Sequence, residues 1–166
     1  MNTAVIIAEM LVFAALFTVL VFSGTRNKET TAGIHNYPPD IQEEYFKTHP
    51  RRDTSAKSKS VILAKSAGVL LFAAILTGCA LLAGAKTFLQ GFLLTFGLMV
   101  WIGAYDTFFL DWVLFPRMKC FRLPGTEHMD MAYHQKWFHL KGMLFPGLVF
   151  GLIPALLVGA IIAVIR

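Results

Sequence analysis

Two aspartates, Asp106 and Asp111, stand five residues apart in the run Asp-Thr-Phe-Phe-Leu-Asp-Trp, at the end of a long apolar stretch. Ionisable groups beside hydrocarbon are costly and mark functional sites by default. A carboxyl group there serves as a proton carrier or general acid when no cation offsets it. On an α-helix, five residues turn through about 140°, so the pair is expected to face different directions and not to form a matched couple on one helix face. Lys65 lies at a corresponding depth in another apolar stretch and is the expected partner of one aspartate. The other is expected to meet the loop 117–141 or the basic residues of the loop 25–60.

A second constellation follows Leu123-Pro124-Gly125, where Thr126 opens the segment Thr-Glu-His-Met-Asp-Met-Ala-Tyr-His-Gln-Lys-Trp-Phe-His ending at His139. Asp130 and His134, at i and i+4, point the same way one turn apart and can share a metal ion, with Glu127 in support. Mixed nitrogen and oxygen donors suit Zn²⁺, Mn²⁺ or Fe better than Mg²⁺. The alternative role of these acids is to cap a helix that begins at Thr126. On such a helix Met129, Tyr133, Trp137 and Leu140 share one arc, expected to lie at the membrane interface. Asp106, Asp111 and His134 are the candidate catalytic residues. Lys65, Arg51, Arg52, Arg117 and Arg122 are the candidates for holding an anionic group of a substrate, although juxtamembrane cations also attract anionic lipid headgroups.

The elements that must position these residues are set by composition. Of 166 residues, 56% are hydrophobic and only 15% charged, with a mean hydropathy of +0.61. That balance excludes a disordered chain, a coiled coil and an ordinary soluble domain. A membrane-crossing helix needs about 20 apolar residues. Four segments meet that length: residues 4–22, 61–83, 87–109 with an extension to 115, and 142–165. Only helices satisfy the backbone of such segments in lipid. The expected fold is all-α: a single polytopic membrane domain over 1–166, a four-transmembrane-helix bundle with a short interfacial helix in each cytoplasmic loop. The first segment reads as a retained anchor, since its start carries no positive charge, Glu9 interrupts it, and Arg26 and Lys28 follow it.

Lys and Arg are distributed unevenly: seven between residues 25 and 60, five between 117 and 141, and single ones at Lys86 and Arg166. The positive-inside rule therefore puts loops 25–60 and 117–141 in the cytoplasm and both termini outside, as in a multi-pass protein of a bacterial inner or plasma membrane. The net charge of +5 is then a topological signal and not a nucleic-acid footprint. Membrane lipids are the expected partners. Gly147, Gly151, Ala155, Gly159 and Ala163 recur every fourth position and allow close helix approach, inside the bundle or between copies in a homo-oligomer. Cys79 and Cys120 fall at opposite sides of the bilayer and cannot pair within one chain.

This layout of four helices, an outside amino terminus and a polar cytoplasmic side resembles the membrane-associated eicosanoid and glutathione metabolism enzymes. The second segment reads Val61-Ile-Leu-Ala-Lys65-Ser-Ala-Gly68 where that family carries Arg-x-His-x-Asn, so no functional residue is transferred. The expected function is a membrane enzyme or binding protein for an amphiphilic substrate at the cytoplasmic interface. The alternatives are a non-catalytic assembly subunit, and a small transporter using Glu9 or Asp106.

Overall fold

The computed structural model describes residues 1–25, 31–49 and 59–166, and all regular structure among them is helical. Helix α1 covers Thr3–Gly24, with the Asn2 side chain accepting hydrogen bonds from the Ala4 and Val5 amides. A 3₁₀ turn at Thr31–Asn36 leads into α2, Pro39–Thr48, which starts on a proline and carries Asp40 in its first turn. Both features favour a helix start. Helix α3 spans Lys59–Leu82. Thr87 caps α4, Phe88–Tyr105, by accepting from the Gln90 amide. A π-helical extension, Asp106–Leu114, directly follows α4. Short helices α5 (Asp130–Tyr133) and α6 (Lys136–Gly142) precede α7, Leu148–Ile165.

Three helical runs are long and apolar enough to cross a membrane: Thr3–Gly24, Phe88–Leu114 and Asp130–Ile165. A shorter apolar helix covers Ser66–Leu82. Helix α4 is the centre of the assembly: α7 packs along most of it, α1 packs on it as well, and α3 packs on both α4 and α7. Small residues permit the α4–α7 approach. A Cβ at Gly91 would lie 3.0 Å from Ile162 Cγ1, and one at Gly159 would lie 3.0 Å from the Phe88 carbonyl oxygen. Gly151 faces Met99 in the same way, and Ala155 is fully buried. The interior members of the α7 small-residue stripe are thus taken up within one chain, while Gly147 and Ala163 are exposed. Gly91 is the matching close-contact position on α4.

The Asn2 amide donates to the Ala83 carbonyl at 2.8 Å, so the start of α1 and the turn after α3 share one end of the bundle. The carboxyl end of α7 joins them through Ile162 and Gly91. An apolar core of Leu76, Ala80, Leu94, Leu98, Val158 and Ile162 fills this end. Two polar ties bind α1 to α4: Thr18 Oγ1 lies 2.8 Å from the Tyr105 hydroxyl, and Trp101 Nε1 donates to the Met10 carbonyl at 3.1 Å. Both carboxylate oxygens of Glu9 are buried and without a partner among the described residues.

The opposite end is aromatic. Ile41, Phe115, Phe121 and Tyr133 form its buried centre, with Tyr37 and Phe22 packed around them. This core changes the expected shape of the 126–139 segment. Thr126 does not cap a helix: its hydroxyl donates to the Leu123 carbonyl and meets the Tyr133 hydroxyl at 2.7 Å. The helix is split in two at His134–Gln135. Tyr133 is buried while Trp137 is 73% exposed, so they do not share the expected arc. Burying the Tyr133 ring among aromatics, with its hydroxyl accepting from the Leu123 amide, competes successfully with a continuous amphipathic helix. Likewise the fourth apolar segment breaks at Phe145, whose backbone is non-helical.

Candidate functional site

The π-helical extension brings the two aspartates together. Its bonds run from i to i+5, closing with the Phe115 amide donating to the Leu110 carbonyl at 2.7 Å. A π turn is wider than an α turn, so residues five apart lie closer to one face than they would on an α-helix, and Asp106 and Asp111 both line the same cavity. The 140° separation expected from α geometry is therefore reduced by the wider turn. π-Turns are rare and occur often at functional sites.

The cavity has a volume of about 1040 Å³. Its apolar walls come from α1 (Phe17, Leu20, Val21) and α4 (Phe96, Met99, Val100). Phe145, Leu148 and Phe150 contribute the wall on the α7 side, and Ile34 to Tyr37 of the first loop lie across one end. Asp106, Asp111, Arg122, His139 and Lys141 make it polar where the helices meet the second loop. Residues of α1, α4 and α7 thus all contribute to its walls.

His139 completes the polar wall. Its Nδ1 lies 2.9 Å from Asp111 Oδ2, and its side chain is only 5% exposed. The ring is held edge-on by Phe115 and Phe138. Its Nε2 is buried and has no hydrogen-bond partner among the described residues. Trp112 fixes the helix that carries His139: its Nε1 donates to the Lys136 carbonyl at 3.2 Å, and the Lys136 ammonium sits over its ring. The neighbour of Asp111 in sequence thus docks the first turn of α6, which delivers the histidine to the carboxylate.

Arg122 approaches from the other side. Its guanidinium stacks 4.1 Å over the Tyr133 ring. Nη2 donates to the Pro116 carbonyl and to Asp130 Oδ1, whereas Nη1 is buried with no partner among the described residues. Tyr37 braces this wall by donating to the Phe121 carbonyl at 3.0 Å. Burial pushes the Tyr37 phenol well above its ordinary range, reinforced by Tyr133, Cys120 and Tyr45. It therefore stays a neutral donor.

The other expected site residues are distributed differently. His134 is exposed, 3.7 Å from Asp130, and does not line the cavity. Asp130 is held by Arg122, Glu127 is exposed, and no group of three His, Cys, Asp or Glu converges as a metal shell among the described residues. Arg117 donates to the Val113 carbonyl and lies off the cavity wall. Arg51 and Arg52 lie outside the described residues, as do Arg26, Lys28 and the side chain of Lys65. The expectation that one aspartate meets the second loop is met by Asp111 and His139. His139 itself was visible in the sequence only as one polar residue among several near that membrane face, because α-helical bookkeeping gave it no special partner. No family model, curated protein sequence or solved structure matches this chain, and the functional reading rests on the chemistry of the cavity.

Proposed function

We propose that this is a four-span membrane enzyme that takes an amphiphilic molecule from the bilayer into the cavity between α1, α4 and α7 and transfers a proton there through Asp111 and His139. The observation that carries this reading is a buried histidine at 2.9 Å from a carboxylate on the wall of a cavity whose other walls are apolar helices. A carboxylate beside Nδ1 favours the tautomer protonated on that nitrogen and stabilises the imidazolium formed in turnover. Nε2 then carries the lone pair of a general base. Asp106, on the same wall, supplies a second carboxyl group for returning the proton. His134 is solvent-exposed and has no place in this scheme. The distribution of Lys and Arg supports loops 25–60 and 117–141 facing the cytoplasm, and in this reading the polar wall of the cavity lies at the cytoplasmic interface of a bacterial inner or plasma membrane.

The test uses full-length protein purified from native membranes. Bound small molecules are extracted and identified by mass spectrometry, then supplied back to the protein in nanodiscs. Wild type should retain an amphiphile and convert it. His139→Gln should retain it unconverted, and Val100→Trp, which fills the cavity, should not retain it. Wild-type protein carrying no amphiphile, or His139→Gln protein with undiminished turnover, overturns the proposal.

A further inference from the structure

Arg122 is a cation of the cavity wall. Its side chain is 14% exposed, and Nη2 is engaged by Pro116 and by Asp130, a residue whose own side chain is 67% exposed. Nη1 is buried without an acceptor among the described residues. A guanidinium donor left unpaired away from water is costly, and an anionic oxygen is the acceptor that relieves it best. The carboxylates on the same wall do not fill that role: Asp111 is paired with His139, and no contact joins Asp106 to Arg122. The ring of Tyr133 stacks beneath the guanidinium, and Arg122 lines the cavity. The apolar length of the cavity begins where this polar wall ends.

We infer that the cavity selects amphiphiles with an anionic headgroup, a phosphate or carboxylate, bound by the Arg122 guanidinium while the tail lies between α1 and α7. This deepens the function proposed above and rests on it. Asp130 then acts as a positioning residue, turning the guanidinium and partly neutralising it.

The experiment measures binding to the full-length protein in phosphatidylcholine nanodiscs by calorimetry, with empty nanodiscs subtracted. Three probes separate tail from charge: dodecyl phosphate, dodecanol and inorganic phosphate. Dodecyl phosphate should bind at least about tenfold more tightly than dodecanol, the scale of one charge-assisted hydrogen bond in a desolvated site. Inorganic phosphate at equal concentration should not compete. Arg122→Gln should reduce dodecyl phosphate to the affinity of dodecanol. Because Arg122 also ties Pro116 in place, Asp130→Asn provides a second variant. It keeps the guanidinium and removes its compensating charge, and should tighten dodecyl phosphate about threefold, as expected when one partly screened charge is lost, with dodecanol unchanged. Equal binding of dodecyl phosphate and dodecanol overturns the headgroup assignment and leaves the amphiphile reading standing. Failure of both to bind overturns both readings. Competition by inorganic phosphate at equal concentration makes this a site for a free anion and overturns the amphiphile. Unchanged or weaker dodecyl phosphate binding by Asp130→Asn also overturns the assignment to Arg122.

Discussion

His139 Nδ1 and Asp111 Oδ2 stand 2.9 Å apart across the junction of the π-helical extension and α6. The carboxylate comes from the end of a membrane helix, and the imidazole comes from a short helix in a polar loop. Turnover of the cavity's ligand should depend on both. His139→Gln should lower kcat by about two to four orders of magnitude, the usual contribution of a positioned base, with the protein still folded and ligand still retained. Asp111→Asn should impair turnover too, since it removes the acceptor that orients the ring. Steady-state kinetics on the recovered amphiphile, with melting curves for each variant, checks this.

The contact of Gly159 with the backbone of Phe88 sets the distance between α4 and α7. Gly159→Leu should destabilise the protein by about 1–3 kcal/mol, as overpacking does, because a Cβ there would meet the Phe88 carbonyl oxygen at 3.0 Å. Gly97→Ala serves as the contrast: nothing lies within 4 Å of a Cβ at that position, and its stability should be unchanged. Thermal unfolding in a mild detergent distinguishes the two.

Thr18 and Tyr105 hold α1 against α4 through their hydroxyls at 2.8 Å. A double-mutant cycle with Thr18→Val and Tyr105→Phe should give a coupling energy of about 0.6 kcal/mol, typical of interhelical hydrogen bonds in membranes. Additive losses would show that the pair contributes no coupling.

Tyr37 supplies the pH dependence. Its phenol is raised above the ordinary value by burial, so the unfolded chain loses this proton first as pH rises. The stability associated with Tyr37 should therefore be constant below about pH 10 and decline above it. Tyr37→Phe should lose about 1 kcal/mol at neutral pH, from the missing bond to the Phe121 carbonyl, and should show a shallower alkaline decline. Unfolding measured between neutral and strongly alkaline pH tests both.

Hydropathy and charge patterning made the elements legible. The apolar segments starting near Ala4, Thr87 and Gly142 appear as helices long enough to cross a membrane, and Val61 to Ala83 lies largely within α3, whose apolar part is shorter. These assignments follow from local physics, because a backbone in hydrocarbon must satisfy its own hydrogen bonds whatever its neighbours are. The helix at Pro39–Thr48 was legible for a similar reason, its start and stop being marked by prolines.

The site needed the tertiary structure. Asp106 and Asp111 were recognisable as costly groups at a membrane edge, but their shared orientation depends on a π-register that residue types do not announce. His134 looked the better histidine because its i, i+4 spacing from Asp130 assumed one continuous helix. The buried Tyr133 ring ended that helix early, and α6, docked by Trp112 on Lys136, carried His139 to Asp111 instead. Sequence determined which segments are helical and where charge is tolerated, since those depend on each residue's own free energy in lipid or water. Which charged groups meet was decided by packing, since it depends on how aromatic cores and a widened helical turn rotate one element against another.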